Sequence, residues 1–355
     1  MSPLDSPSAV LQLLVVFQSV FFAFFLLVRR SRPDHPANTS LAALLGLVAI
    51  HLGSLLLQQA GRIPSGLTPA QLSGLLYGPL FLTFIRSLTF RRRLRPADGF
   101  HLVPAGMALL ALAAGGLAPE VLALAVFISL GTYLAFAMRT VRKYRHVLAS
   151  THSDVRRIPL AWLSFAVAGL SVVYVLDLAS FIAGQAGRGG SPLFSSLPFA
   201  ALLAYVTGFV IGALEQPRLF VGVSEEEGNL VSPPRVLPLG PEEVEDLRRL
   251  ERLMVEKHPY LQPELTLVEL ARIARLPARR LSSLVNRGRS RTFSDWVNGY
   301  RIEEAKRLLG RGAAASHTVL DILYKAGFNS KSTFNAVFKE KSGLTPREYR
   351  RQARS

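Results

Sequence analysis

The chain has 355 residues, a mean hydropathy of +0.30 and a formal net charge of +17. It contains no cysteine, which excludes disulfides, zinc fingers, iron–sulfur clusters and thiol chemistry. High apolarity combined with high positive charge indicates two segments of different character. Residues 1–240 hold 18 basic and 10 acidic residues and residues 241–355 hold 23 and 14, but only the first segment contains long apolar runs.

Apolar runs of bilayer length dominate the first segment. About 20 helical residues cross a hydrocarbon core of about 30 Å. Seven such runs cover residues 9–28, 41–60, 71–90, 100–117, 121–138, 160–183 and 193–214. The stretch FQSVFFAFFLLV is apolar on every face, whereas a helix of a soluble core is amphipathic. We therefore predict a seven-span transmembrane domain over residues 1–216. Arginines follow the first run and none precede it, which favours a span over a cleavable signal peptide.

The loops between the runs predict the orientation. The first, third and fifth loops contain 14 lysine and arginine residues, whereas the second, fourth and sixth contain only Arg62 and Arg188. Cytoplasmic loops are enriched in these residues. We therefore predict that the N-terminus lies outside and that everything beyond residue 214 lies in the cytoplasm.

Two ionisable residues stand out within the predicted spans. Asp177 is the only acidic residue well inside a span, and His51 lies midway along the second span. Ionisable groups are costly in the bilayer core and are usually functional there. One interpretation is that Asp177 and His51, with Tyr174 and Gln18, line a cavity that senses a ligand or protons. The alternative is a hydrogen-bonded polar cluster with a structural role.

The composition changes after the last span. Residues 217–240 contain an acidic run and closely spaced prolines, which predict a flexible linker. Pro241 opens PEEVEDLRRLERLMVEKH, with acids in its first turn and apolar residues at helical spacing, so we predict an amphipathic helix over 241–258. Two roles remain open for this helix: packing against the domain that follows it, or dimerisation and signal transmission.

One local pattern recurs four times near the C-terminus. A threonine that can cap a helix is followed three residues later by an acid that can bond back to it. The pairs are Thr266 with Glu269, Thr292 with Asp295, Thr318 with Asp321 and Thr345 with Glu348. The sequences TLVELARIA and TVLDILYKA, which open at Thr266 and Thr318, are similar, which indicates an internal duplication of a helix-turn-helix.

A helix-turn-helix needs a steep turn and a second helix with one apolar side. Gly327 permits the turn of the second copy. The residues predicted to pack are Leu281, Leu284 and Val285 in the first copy and Phe334, Val337 and Phe338 in the second. Between the copies, FSDWVNGYRIEEAKRLL predicts a long helix that sets their separation, so that the two second helices could enter successive major grooves of DNA.

The second copy also carries a longer pattern. The stretch GFNSKSTFNAVFKEKSGLTPREYR resembles the C-terminal signature of AraC/XylS-type transcription regulators. The matching residues are Gly327, Phe328, Phe334, Phe338, Lys339, Gly343, Thr345, Pro346, Tyr349 and Arg350, with Arg301, Ala305, Leu308 and Leu309 upstream. The resemblance covers about residues 254–353. It departs from the family in the first copy, where Arg275 and Pro277 replace the usual Gly and Ser and Val285 stands where Phe is frequent.

The resemblance implies that both second helices contact DNA. The residues at the family's base-contacting positions are Arg279, Ser282, Ser283, Lys331, Ser332 and Thr333. The residues expected to bind phosphates or to make secondary contacts are Arg280, Asn286, Asn335, Lys339, Arg347 and Arg350. Because the first turn lacks the family's glycine, we expect the second helix-turn-helix to be better placed for base contacts. The operator would contain about two adjacent major-groove half-sites.

These observations predict an all-α protein, a seven-helix transmembrane bundle followed by a cytoplasmic all-helical tandem helix-turn-helix domain. We expect a membrane-embedded one-component transcription regulator of the bacterial inner membrane, in which the bundle senses an unknown small-molecule or membrane signal. Its expected partners are double-stranded DNA and the lipid bilayer, and a homodimer remains an open alternative. The signal would pass through the seventh span and the helix over 241–258.

Two other functions remain as alternatives. One is a transporter or membrane enzyme with a regulatory DNA-binding tail, and the other is a bundle that only anchors the chain. The sequence shows no lysine in a span, no paired carboxylates, no metal-spaced histidine cluster and no nucleophile–base motif. We therefore expect no enzymatic activity, no cofactor and no metal.

Overall fold

The computed structural model of the chain describes residues 6–28, 35–64, 68, 70–90, 96–154, 160–187, 192–215, 238–310 and 317–353. Within these residues every regular element is a helix, apart from one isolated bridge between His152 and Thr266. Contacts divide the chain into two compact units, Met1–Arg142 with Leu160–Gly222 and Lys143–Pro159 with Val223–Ser355. The fold is all-α, as the sequence predicts.

The first unit is built from apolar helices. They are α1 (Pro7–Val28), α2 (His35–Gln59), α3 (Gly74–Phe90), α4 (Val103–Ala113), the first part of α5 (Pro119–Thr151), α6 (Leu160–Gln185) and α7 (Pro192–Glu215). Among the described residues, six helices, all except α4, are long and apolar enough to cross a membrane. Their outward faces carry exposed large apolar side chains such as Phe17 and Phe24, as expected of helices that face lipid.

The helix at the fourth predicted span is shorter than the sequence predicts. Residues 100–117 were expected to form one span, but α4 has only 11 residues. Pro104 stands in its first turn, where proline is tolerated, and the helix begins there after a 3-10 helix, Pro96–Leu102. It ends before Gly115, whose φ of 69° is left-handed. Pro104 and Gly115 thus mark the two ends of α4, whereas hydropathy alone predicts a longer helix at both ends.

Several residues that carry the sequence predictions lie outside the described part of the chain. They are Arg29, Arg30, Arg32, Arg91, Arg92, Arg93, Arg95, Arg156, Arg157 and Arg188, and most of the linker predicted over 217–240.

Besides the end of α5 and a short 3-10 helix (Pro259–Leu261), the second unit contains seven α-helices in the described residues. They are α8 (Pro241–Lys257), α9 (Leu267–Ala274), α10 (Ala278–Arg289), α11 (Phe293–Gly310), α12 (Val319–Lys325), α13 (Lys331–Ser342) and α14 (Pro346–Gln352). The long helix α11 separates two apolar cores. Phe293, Trp296 and Val297 at its start pack with α8, α9 and α10. Ile302, Ala305 and Leu309 further along pack with α12 and α13. One helix therefore holds both helix-turn-helix halves.

The apolar face of α8 is covered within its own unit. Leu250 and Met254 are buried in the first core, and Leu247 is buried as well. Of the two roles left open for the helix over 241–258, the structure shows packing against the domain that follows it. The same side chains are therefore not exposed for dimerisation.

The threonine–acid pairs cap their helices as the sequence predicts. At Thr266, Thr318 and Thr345 the hydroxyl accepts the amide of the acid three residues later, and that acid accepts the amide of the threonine. Thr292 makes only the first of these two bonds, with the amide of Asp295 at 3.2 Å. Hydrogen bonds from Thr318 and Thr345 lower the pKa of Asp321 and Glu348. Both acids therefore stabilise the fold at neutral pH and lose this effect as the pH falls through their folded-state pKa.

The turn of the second helix-turn-helix requires glycine for two reasons. Gly327 has a φ of 83°, and a Cβ there would lie 2.6 Å from the carbonyl oxygen of Tyr260. By contrast, Gly343 has a φ of 75° and no heavy atom within 4 Å of the position of a Cβ. The two glycines share the backbone requirement, but only Gly327 is closely packed.

We predict that Gly327→Ala lowers the free energy of unfolding of the second unit by roughly 2–5 kcal/mol, from backbone strain plus steric overlap. The matched Gly343→Ala change should cost only about 1–2 kcal/mol, because strain alone acts there. Denaturant unfolding in detergent can be followed by the fluorescence of the buried Trp296 in a Trp162→Phe background. Equal losses at the two sites would contradict the role assigned to the close approach.

Candidate nucleic-acid interface

Two helix-turn-helix motifs flank α11. The first is formed by α9 and α10, and the second by α12 and α13. Their turns have the same handedness, since Arg275 has a φ of 55° and Gly327 a φ of 83°. Arg275 thus adopts the left-handed conformation that glycine normally supplies, at a cost of about 1–2 kcal/mol. The missing glycine strains the first turn without abolishing it.

The second helix of the first motif, α10, exposes only part of its predicted contact set. Its Leu281, Leu284 and Val285 are buried in the expected way. Arg279 is exposed and Ser283 and Asn286 are partly exposed. Ser282 differs from the expectation, because it is only 2% exposed. The apolar stripe of α10 is wide enough to include this small side chain, so we do not propose a base contact for it.

Acids of α8 hold the arginines of α10. Arg280 Nη2 lies 2.6 Å from Asp246 Oδ2. Arg287 Nη1 lies 2.8 Å from Glu243 Oε1, and Arg289 pairs with Glu251. The hydrogen bond from the Gly240 amide and the contacts with Arg287 and Arg280 lower the pKa of Glu243, so its carboxylate is charged at neutral pH. Arg280, which was expected to bind phosphate, is therefore already paired within the domain.

The second helix of the second motif, α13, presents a more open polar face. Lys331, Ser332, Asn335 and Lys339 are exposed along it. Thr333 departs from the expectation, because its side chain is only 4% exposed and packs beside the buried Phe334. We do not propose a base contact for it.

A basic groove adjoins this open face. It has a volume of about 760 Å³, and its polar lining includes Lys331, Asn335, Arg347 and Arg350. Lys331 stands at the N-terminus of α13, and Arg347 lies in the first turn of α14. The structure thus brings together four of the predicted DNA-binding residues, which are separate in the sequence. A positively charged groove of this kind suits the phosphate backbone.

Sequence reasoning did not single out the capping serine of α13. Ser330 Oγ accepts the Thr333 amide at 3.4 Å and lies 2.9 Å from Ser332 Oγ. It fixes where α13 begins and therefore where Lys331 projects. A serine directly before a helical run is a capping signal that could have identified it.

Arg301 of α11 is a further residue whose role the sequence did not show. It is only 1% exposed, and its Nε donates to the Tyr260 carbonyl oxygen at 2.7 Å. Its Nη2 donates to the carbonyl oxygen of Gln262 at 2.7 Å and to Ser153 Oγ at 3.1 Å. Burial lowers the pKa of Arg301 to about 10, which leaves the guanidinium charged at neutral pH.

The first unit contains a cavity at the second predicted site. The cavity has a volume of about 290 Å³ and a mainly aliphatic and aromatic lining. Its polar lining residues are His51, Tyr77, Tyr174, Asp177 and Tyr205. His51 Nδ1 lies 2.6 Å from Tyr77 Oη. The side chain of Asp177 is exposed. Gln18 is not part of the lining, and its amide donates to Thr207 Oγ1 at 2.6 Å. The structure therefore groups Asp177, His51 and Tyr174 but not Gln18.

The family comparison matches a segment inside the second unit. Residues 270–352 match the family described as Helix-turn-helix domain. The chain is 36% identical over 98 residues to the uncharacterized HTH-type transcriptional regulator YtdP of Bacillus subtilis, which covers 28% of this chain and 12% of that protein. It is 29% identical over 107 residues to the HTH-type transcriptional activator RhaR of Yersinia pseudotuberculosis, 30% of this chain and 36% of that protein.

A third relative is the transcriptional activator RhrA of Rhizobium meliloti, 35% identical over 89 residues, which is 25% of this chain and 27% of that protein. The chain thus spans about a third or less of the length of these relatives. No solved structure matches the chain significantly. The C-terminal part is a helix-turn-helix domain of the AraC type, as the resemblance predicts.

We predict that Lys331→Ala weakens DNA binding about tenfold and alters base preference, because Lys331 is exposed at the N-terminal end of α13. Arg252→Ala on α8 removes the same charge from an exposed position and serves as the control. Both can be measured by binding selection from a random DNA pool and by titration at several salt concentrations. If Lys331→Ala changed only the salt slope, the residue would be a phosphate contact rather than a base contact.

Proposed function

We propose that this chain is a membrane-embedded one-component transcription regulator that binds double-stranded DNA through two helix-turn-helix motifs. The observation that carries the proposal is the pair of motifs on the single helix α11, in a domain of the AraC type. The relatives named as regulators support it, and their matches cover between a quarter and a third of the chain.

The second helix of each motif, α10 and α13, would contact DNA bases. Arg279 and Ser283 of α10 and Lys331 and Ser332 of α13 are accessible and would read base edges in two major grooves about one helical turn apart. The groove, which is lined by residues of α12, α13 and α14, would bind the DNA backbone through its basic residues. Because α11 packs against both cores, it would fix the distance between the two contacts.

The loop charges and the helix lengths together support seven membrane crossings. If the charge rule holds, the basic loops after α3 and α5 lie on the same side, and α4 would then contribute one crossing besides that of α5. The 7-residue 3-10 helix leads directly into the 11-residue α4, and their ideal lengths add up to roughly 30 Å, the thickness of the hydrocarbon core. Phe100 and Leu110 are 78% and 73% exposed along this stretch, as expected if lipid surrounds it. The N-terminus would then lie outside.

A parity argument supports a cytoplasmic DNA-binding domain. The end of α5 and the C-terminal domain belong to one compact unit, and two long apolar helices, α6 and α7, lie between them in the chain. Two crossings return the chain to its starting side. The second unit would therefore lie on the side of the basic loop after α5, which the charge rule assigns to the cytoplasm.

The cavity in the first unit would be the sensory site. Its mainly apolar wall and its few polar groups suit a small amphipathic molecule that has an apolar body and one polar or cationic group. Asp177 could attract a cation, and the His51–Tyr77 pair could exchange hydrogen bonds with a polar ligand group. A ligand that binds one arrangement of the helices more tightly would shift the bundle toward it.

The regulatory function can be tested by transcript profiling. Cells that lack the gene would be complemented with the wild-type chain or with Lys331→Ala. A set of promoters that responds to the wild type and loses the response with the variant supports the proposal. If the transcripts of the two strains were identical, the DNA-binding role would be refuted.

The first unit provides a matched control for mutations at the proposed sensory site. His101 Nδ1 lies 2.7 Å from Tyr133 Oη, so the unit contains a second histidine–tyrosine pair, but His101 does not line the cavity. We predict that His51→Gln and Asp177→Asn reduce the signal-dependent change in transcription several-fold, whereas His101→Gln leaves it intact. The comparison uses the promoters found above across growth conditions. An unchanged response in Asp177→Asn would remove that carboxylate from the mechanism.

A further inference from the structure

Helix α5 is longer than a membrane crossing requires. It has 33 residues without interruption, which corresponds to about 50 Å, whereas about 20 residues suffice to cross the core. Basic residues begin at Arg139, and the helix continues to Thr151. The last part of α5, from Lys143 onward, belongs to the second unit together with the DNA-binding domain.

The end of α5 has a buried face. Tyr144, Val147, Leu148 and Thr151 are each at most 2% exposed and recur at helical spacing. Between them, Arg145 and His146 are exposed. Such a stripe is typical of a helix packed on a folded domain. If this basic end of α5 lay only in solvent, the four side chains would be exposed.

Beyond the helix, Ser153 is bound by side chains of α11. Its carbonyl oxygen accepts hydrogen bonds from Ser294 Oγ at 3.1 Å and Asn298 Nδ2 at 3.4 Å. Its amide donates to the Leu265 carbonyl oxygen at 3.2 Å, and its hydroxyl accepts from Arg301. Ser153 is itself only 1% exposed. Four hydrogen bonds to one buried residue define a specific binding site for Ser153 on this unit.

Arg301, which donates to Ser153, also contacts both helix-turn-helix halves. Arg301 binds the turn before α9 through the carbonyl oxygens of Tyr260 and Gln262. Its guanidinium carbon lies 5.6 Å from the ring centroid of Phe328, which follows Gly327 in the second motif. Asp154, next to Ser153, favours the charged guanidinium and raises the pKa of Arg301 against the effect of burial. The docked segment therefore completes the polar network at the centre of the DNA-binding domain.

We propose that residues 143–154, which comprise the end of α5 and the three residues after it, dock on α11 and couple the membrane unit to the DNA-binding domain. The docked state is the one competent to bind DNA. This inference rests on the proposed function and deepens it, because it names α5, rather than α7 and α8, as the route of the signal. Undocking removes acceptors from Ser294, Asn298 and Arg301, which loosens the helix that positions both recognition helices.

The docking can be tested by cross-linking, because the chain has no cysteine of its own. His152 and Thr266 form an antiparallel bridge, whose Cα separation of about 5 Å suits a disulfide. In native membranes, His152→Cys with Thr266→Cys should cross-link on mild oxidation. The control is His152→Cys with Thr318→Cys, which alters the equivalent helix cap of the second motif. Failure of the first pair, or equal cross-linking of both pairs, would overturn the docking.

The coupling is tested by DNA binding of the full chain in nanodiscs of phosphatidylethanolamine and phosphatidylglycerol, on a fragment selected with the wild type. Ser153→Ala and Ser294→Ala each remove one partner of a docking bond and should weaken binding about fivefold. His146→Ala, on the exposed side of the same helix, should not. The oxidised His152→Cys, Thr266→Cys protein should bind at least as tightly as its reduced form.

The remaining outcomes are distinct. If the disulfide forms but all variants bind DNA like the wild type, the docking has no coupling role. If closing the disulfide abolishes binding, the docked state is not the competent one. If the wild-type protein binds no DNA fragment in any selection, the proposed function itself fails, and the inference fails with it.

Discussion

The second unit depends on the buried guanidinium of Arg301. A charge with 1% exposure is stable only if its donors are satisfied, and here carbonyl oxygens of the turn before α9 and the hydroxyl of Ser153 accept them. Loss of these acceptors would leave an uncompensated buried charge, at a cost of about 3–5 kcal/mol. Because its acceptors come from segments far apart in the chain, the same group ties together the α8–α9 turn, the end of α5 and the second motif.

The arrangement of α11 explains why one residue can have this effect. The helix contributes its first turns to one apolar core and its later turns to the other, and Arg301 stands between the two sets. Because the two cores meet only different parts of α11, the orientation of one motif relative to the other depends on this helix and the polar contacts at its middle. A contact that stabilises this region stabilises the spacing of the two recognition helices.

Much of the fold follows from local sequence signals. Long apolar runs, threonine–acid caps and the Gly327 turn each depend on residues close together in the chain, and the helices occur where these signals predict them. The helix α4 is shorter than the predicted span because hydropathy does not register Pro104 and Gly115 as helix boundaries. The burial of Ser282 and Thr333 was missed because a small polar residue beside an apolar stripe has the same sequence pattern whether it faces the core or the groove.

The long-range contacts could not be predicted from the sequence. Arg301 and Ser153 are 148 positions apart, and no periodicity or motif links them. The cavity around His51 and Asp177 was approached only through the rule that ionisable groups in a span are unusual, and the partner Tyr77 of His51 was not foreseen. Pairing between distant polar groups depends on the packing of helices, which local patterns do not encode.

The pairing of α8 with α10 has a consequence for the electrostatics of binding. Arg280, Arg287 and Arg289 already have carboxylate partners on α8, so the first motif has a smaller effective charge than its arginine content suggests. Counterions condensed on DNA are released only by cations that replace them at phosphates. The electrostatic part of the affinity would therefore come mainly from α13 and α14, and the first motif would distinguish sequences while contributing little to nonspecific attraction.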